Sequence, residues 1–199
     1  PDVCVTRSPR SYNSQIGVPL SVWLLNEHTQ LGIFEAGISQ PGEMRALRGI
    51  IQPTIAVLTC LGAAHQENFE SLEAKCKEKI QLFHDAQTVV YDADDSVIAA
   101  EVEASGYPGE RLCWSLTDAH APMYISRIDK GDAHTLVTYS YQGGAEQHYQ
   151  LPFIDDASIS NSIVCATVAL HLGVSAADLA LRMQQLEPIA MRLEVKEGQ

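Results

Sequence analysis

Two polar side chains stand where short apolar runs end. Leu31–Phe34 delivers Glu35 into Ala36-Gly37, and Ile55–Leu58 leads through Gly62 and two alanines to His65. Runs of this length, rich in β-branched residues and bounded by Pro or Gly, read as strands. Ligands of open α/β sheets gather at the carboxyl ends of such strands. A carboxylate and an imidazole there can hold a divalent cation beside a phosphate. Lys79 follows on a helical stretch just before Ile80, Leu82 and Phe83. Close to a metal, a lysine of lowered pKa can take up carbon dioxide as a carbamate, which turns a cation into an anionic ligand. Ser11-Tyr12-Asn13-Ser14-Gln15-Ile16-Gly17 is a polar loop entering a helix. Its hydroxyls, amides and backbone N–H groups suit a phosphate or a sugar. Each feature also has a plainer structural reading. Glu35 can be a solvated strand end, His65 a loop histidine with one hydrogen bond, Lys79 a snorkelling lysine and the loop an N-cap segment. Asn161, among Ser158, Ser160 and Ser162, reads alone as polar filler in a helix. The other six histidines share no ligand spacing, and His65 with Glu67 is a weak basis for a zinc hydrolase.

These residues need elements to place them. Strand-like and helix-like stretches alternate from about residue 30 to 115, the pattern of βαβ units and a parallel sheet. Strands are expected at Val3 and Val5, Gln30–Phe34, Ile55–Leu58, Thr88–Tyr91 and Arg111–Ser115. Helices are expected over Ile16–Leu25, Pro41–Ile51, Ser71–His84 and Asp94–Ser105. Met44, Leu47, Ile50 and Ile51 would share one face, as would Leu72, Cys76, Ile80 and Phe83. The period then changes. Met123–Ile128, His134–Tyr141 and Glu146–Pro152 alternate around turn signals, as in an antiparallel meander. Helices return from Ser158 to Gly173 and again from Ser175, whose N-cap is backed by Asp178. The expected class is α/β, with a mostly parallel sheet flanked by helices and a small antiparallel β subdomain. Residues of about 1–115 and 155–190 would form the α/β core and about 120–153 the β appendage.

Composition narrows the function. The chain has 199 residues, 46% hydrophobic and 19% charged, enough for one good core. The formal net charge of -12 repels phosphate backbones and argues against general nucleic-acid binding. It still allows a nucleotide, because local amides and a metal outweigh the global field. No apolar run approaches the roughly 20 residues of a membrane-spanning helix. Five unpatterned cysteines argue for reduced thiols and a cytoplasmic setting. Both ends read as cuts, as in a piece of a longer protein.

The order of the motifs is more specific than any one of them. S-x-N-S-x-I-G-V-P (Ser11–Pro19) is followed by F-E-A-G (Phe34–Gly37) and then G-E-M. P-x-I-A-V-L-T-x-L-G-A-A-H (Pro53–His65) comes next, then S-L-x-x-x-x-x-E-K-x-x-L-F (Ser71–Phe83). The whole resembles the central, ATP-binding domain of the Mur ligases of peptidoglycan synthesis. It looks most like the branch that adds D-alanyl-D-alanine to a UDP-N-acetylmuramoyl-tripeptide, and the SPRSYNSQIGVP loop resembles members fused to an alanine racemase. The resemblance implies an α/β fold of the phosphate-loop type and an ATP- and Mg2+-dependent ligase acting through an acyl phosphate. It implies Glu35, His65 and Lys79 as magnesium ligands, with Lys79 and His65 catalytic and Lys79 carbamylated. Ser11, Asn13 and Ser14 would face the UDP-muramoyl substrate. Asn161, matching the second Asn of the family's H-N-x-x-N, and Arg192 would lie near the nucleotide.

Three departures qualify this. No G-x-x-x-x-G-K-[ST] occurs; in the family that loop lies just upstream of where Pro1 stands. Ala157-Ser158 replaces the H-N of H-N-x-x-N. The family's C-terminal domain would follow Gln199. The isolated chain is therefore expected to fold without catalysing ligation. The alternatives are a folylpolyglutamate synthase-like ligase, against which the Ser11–Gly17 loop argues, and a non-catalytic scaffold of the same fold.

Overall fold

The computed structural model describes residues 3–62 and 65–187. The chain divides into two compact units, residues 1–113 and 114–199. Among the described residues no helix is long and apolar enough to cross a membrane.

The first unit alternates strand and helix. β1 (Val5–Arg7), α1 (Gly17–Val22), β2 (Leu31–Ile33), α2 (Glu43–Ile51) and β3 (Ile55–Val57) are followed by α3 (Leu72–Lys79), β4 (Thr88–Val90), α4 (Ser96–Ala104) and β5 (Glu110–Arg111). β1 and β2 pair in parallel, Val5 opposite Leu31. β3, β4 and β5 form a second parallel sheet in that order, Ile55 opposite Thr88 and Thr88 opposite Glu110. β4 is central and buried along its whole length, as its Thr-Val-Val sequence favours. β2 and β3 each keep one edge without a strand partner among the described residues.

The helices obey the apolar spacing with two revisions. On α2, Met44 and Leu47 are buried but Ile50 is exposed. The 71–84 stretch is α-helical only to Lys79 and tightens into a 3-10 turn over Ile80–Phe83. Cys76, Ile80 and Phe83 reach the core with Val89, Ile98 and Val102, while Leu72 faces outward. Each fully buried aliphatic or aromatic side chain here contributes about 1.5–3 kcal/mol. Ser71 caps α3 by accepting the Ala74 N–H at 3.1 Å, and Asp95 caps α4 through Val97 and Ile98. Gly106, at φ 63°, terminates α4 as expected of a left-handed stop.

The second unit is a four-stranded sheet in the order β6 (Trp114–Ser115), β7 (Met123–Lys130), β8 (Thr135–Tyr141), β9 (Gln147–Leu151), with α5 (Asp156–His171) and α6 (Ala176–Met183) packed on it. β7, β8 and β9 are the expected antiparallel meander, with a bulge between Ile125 and Arg127. Tyr139 and Tyr149 stack tilted at 5.7 Å beneath the helices, and the Tyr149 hydroxyl meets Ser162 Oγ at 3.1 Å. Asp155 caps α5 through Ser158 N–H at 2.8 Å. Ser175 caps α6 and bonds Asp178 by main chain and side chain, as the capping-box spacing implies.

One expected strand, Arg111–Ser115, is two. Arg111 pairs with Val89 on β4, Leu112 is buried with its N–H on Val89, and Trp114–Ser115 pairs instead with Met123–Tyr124. A continuous apolar pattern cannot show that its two halves belong to different sheets.

Candidate functional site

The ends of β1 and β2 are tied into one knot. Ser8, just past β1, donates its N–H to Ile33 O at 3.0 Å, and its Oγ accepts the Glu35 N–H at 3.2 Å. Asn13 Nδ2 donates to Glu35 Oε1 at 2.9 Å, and Asn13 O accepts the Gly37 N–H at 2.7 Å. One asparagine thus holds Glu35 by its side chain and the following turn by its main chain. A Cβ on Gly37 would stand 3.0 Å from Asn13 Cγ, so a glycine is what lets the two strands of the knot close. Ser14 Oγ accepts the Gly17 N–H at 3.2 Å and Ser14 O accepts Val18, which starts α1. Ser11 is exposed and its carbonyl accepts the Asn13 N–H at 2.8 Å. The three loop residues therefore divide: Ser11 and Ser14 shape the loop, and Asn13 reaches Glu35.

The second pair lies after β3. His65 is exposed on a left-handed backbone, φ 60° and ψ 20°, at the start of the Gln66–Asn68 turn. A histidine there is uncommon. Asn68 N–H closes on His65 O at 3.2 Å, and Asn68 Nδ2 donates to Ser39 O at 2.9 Å, which ties this loop to the one after Glu35. Lys79 sends Nζ toward Cys60 O at 3.4 Å, a long bond. Desolvation holds the Lys79 amine below the ordinary lysine range, opposed by Cys60 and aided by the neighbouring Lys75. α3 bridges to the Glu35 side as well, because Glu78 Oε1 accepts the Met44 N–H at 2.9 Å at the head of α2.

The structure therefore joins Asn13 with Glu35, and Lys79 with the loop that carries His65. Ser8, Lys75 and Asp92 were missed by the sequence reading. Ser8 and Lys75 give no pattern signal, since their roles depend on contacts across the fold. Asp92 was detectable as a third polar residue after a strand: burial, then its neighbours Asp94 and Asp95, pushes its carboxyl above the ordinary range. Asn161 is exposed on α5 in the second unit. Arg192 lies outside the described residues.

Glu35 supplies one oxygen donor of the kind a hard cation takes. Glu35 is exposed and keeps its second oxygen uncommitted among the described residues, and desolvation lowers the pKa of the Lys79 amine. No cluster of three or more His, Cys, Asp or Glu able to hold a metal occurs among the described residues. A cation here would thus depend on a modified Lys79 or on oxygens brought by substrate, as magnesium at phosphate sites does.

A parallel α/β unit with polar groups at its strand ends is of the open-sheet class, in which ligands bind at those ends. The model of the Mur ligase middle domain matches residues 3–169, and the chain belongs to that family. The UDP-N-acetylmuramoyl-tripeptide–D-alanyl-D-alanine ligase of Bacillus subtilis (strain 168) is 22% identical over 194 residues, 96% of this chain and 40% of that protein. The protein of the same name from Treponema pallidum (strain Nichols) is 28% identical over 186 residues, 92% of this chain and 39% of its own length. Among solved structures, MurF from Acinetobacter baumannii superposes with a TM-score of 0.85 at 21% identity, covering 96% of this chain and 42% of that one. MurF ligase from Thermotoga maritima in complex with ADP gives 0.78 at 22%, over 94% and 43%. A point mutant of L. casei FPGS shares the fold at 0.59 and 18%, over 77% and 38%. These likenesses bear out the expected α/β fold. The chain spans about 40% of the length of the curated relatives it matches.

Proposed function

We propose that this chain is the middle domain of an ATP-dependent ligase that adds D-alanyl-D-alanine to a UDP-N-acetylmuramoyl-tripeptide, in the cytoplasm. The observation that carries this is the family match over residues 3–169 together with relatives named for that reaction. The same motifs hold the Glu35–Asn13 knot and the loop between Cys60 and His65.

On this reading Glu35, His65 and Lys79 would hold magnesium, which would supply neutralising charge beside the transferring phosphoryl group. Lys79 contributes as a carbamate. Its neutral amine nitrogen attacks the carbon of carbon dioxide, an N–C bond forms, and one proton is lost to water. Desolvation favours the neutral amine that this requires. Asn13 orients Glu35, and Ser11 and Ser14 face the UDP-muramoyl substrate. The peptide carboxylate takes the γ-phosphoryl group of ATP with release of ADP; the amine of the incoming dipeptide then forms the C–N bond, phosphate leaves, and the amine's proton is lost. The protein's work is mostly positioning. Asn161 and Arg192 are assigned to the nucleotide. The phosphate-binding loop is assigned to another part of the polypeptide, and the edges of β2 and β3 that lack a strand partner among the described residues offer its strand backbone partners.

The test is phosphate release from ATP by the polypeptide that carries this chain. Release that requires both the muramoyl tripeptide and D-alanyl-D-alanine supports the proposal. Release with a folate and glutamate instead favours the folylpolyglutamate synthase reading, and none with either pair favours a scaffold. The isolated chain should release none. Flanking domains, and fusion to a racemase, are settled by alanine racemisation in the same polypeptide.

A further inference from the structure

Lys75 is a charged-type side chain with almost no contact with solvent, 2% exposed. It lies one helical turn before Lys79 on α3, beside Cys76, which is fully buried. Its Nζ donates to Gly62 O at 2.6 Å, a short contact just under the ordinary N–H···O range. Gly62 belongs to the loop that leaves β3 and ends at His65. Among the described residues the segment after β3 has these further anchors. Leu58 N–H bonds Val90 O at 2.9 Å at its start, and Leu61 is buried midway. Lys79 reaches Cys60 O only at 3.4 Å. Burying a lysine in a core position is unfavourable unless its hydrogen bonds are made. A methionine of similar length would fill the same space without that requirement, so the packing alone does not explain the residue type.

We propose that Lys75 is a positioning residue: by holding the Gly62 carbonyl it fixes the path of the Thr59–Gly62 segment that leads to His65. α3 then acts as a bracket. Lys75 holds the Gly62 carbonyl, Glu78 holds the head of α2, and Lys79 ends the same helix, one turn after Lys75. The link to catalysis rests on the cation reading proposed above; the loop-holding role does not.

Hydrogen exchange on the full chain tests it, comparing wild type with Lys75→Met, Lys75→Arg and, as a surface control, Lys77→Met. Lys75→Met should speed exchange of the Thr59–Gly62 and His65–Asn68 amides about tenfold, the scale set by one hydrogen bond from a lysine head group. The β4 amides of Val89 and Val90 should stay protected, Lys75→Arg should retain most of the effect of wild type, and Lys77→Met should change nothing. Unchanged loop exchange, or equal acceleration in β4, would overturn the proposal. If Lys75→Met does not fold, the wild-type 15N spectrum decides: slowly exchanging Nζ protons coupled to the Gly62 carbonyl support it, and their absence overturns it. Mn2+ broadening of the His65 ring resonance separates the two readings. No broadening in wild type refutes the cation site and leaves Lys75 judged by exchange. Broadening that needs no more Mn2+ in Lys75→Met than in wild type overturns the positioning role.

Discussion

Replacing Gly37 by alanine places a methyl 3.0 Å from Asn13 Cγ, 3.1 Å from Nδ2 and 3.3 Å from O, where ordinary contact begins at 3.4 Å. Gly37 is not in the left-handed region, so the backbone accepts an alanine and the whole effect falls on Asn13. The side chain must retreat by a few tenths of an ångström, and its 2.9 Å bond to Glu35 is the contact it gives up. An exposed hydrogen bond contributes about 0.5–1.5 kcal/mol. Mild overpacking adds about 1 kcal/mol. The expected destabilisation of Gly37→Ala is therefore about 1–2 kcal/mol, and that of Asn13→Ala about 1 kcal/mol. Because both act through one side chain, they should not add. With Asn13 truncated the new methyl meets little but the main chain, so the double variant should cost about 1 kcal/mol less than the sum. Urea unfolding of the four proteins in one buffer measures this coupling, read on the transition of the first unit. Additivity within about 0.3 kcal/mol would refute the claim that Gly37 exists to let Asn13 hold Glu35.

Gly17→Ala should be worse. Its methyl would stand 2.8 Å from Tyr12 Cα and 2.9 Å from Tyr12 C, backbone that cannot yield locally, so a loss of about 3 kcal/mol is expected by the same unfolding assay. Asp155→Asn should lower the melting temperature at neutral pH. The Ser158 N–H, foremost, holds the Asp155 carboxyl below the ordinary range, so its contribution is full above about pH 4 and fades as pH falls through the folded value. The gap between the two proteins should close in acid; a gap that widens would contradict the assignment. Burial, then Glu101 and Asp95, pushes the Cys76 thiol up to about 12, so at pH 8 its thiolate is roughly 10⁻⁴ of the total. Exposed Cys4 and Cys60 should react with a disulfide reagent in the native protein and Cys76 only after unfolding.

What the sequence revealed was local. The cap at Ser175, the stop at Gly106 and the meander of β7–β9 follow from residue types and spacing, and each is present; the Ser71 cap was seen only in the structure. The change of sheet between Arg111 and Trp114 was hidden, because strand partners are chosen by the whole fold. The site shows the same division. Glu35 and His65 could be found as polar residues after apolar runs. The bond from Asn13 to Glu35 could not, since no periodicity links positions so far apart. Lys75 was concealed by its type: the apolar stripe predicts Leu72 inside, yet Leu72 is exposed and the lysine beside the stripe is buried. The left-handed backbone at His65 gives no sign in a residue that is not glycine.

The account depends on Glu35, His65 and Lys79 sharing one cation. Pulsed electron paramagnetic resonance of Mn2+ bound to the ADP-loaded polypeptide that carries this chain, prepared in 13C-bicarbonate, measures this directly. Coupling to a histidine nitrogen that disappears in His65→Ala, with coupling to a 13C nucleus that disappears in Lys79→Met, is the predicted result. A Mn2+ signal with neither coupling, or with couplings that both variants retain, would contradict it.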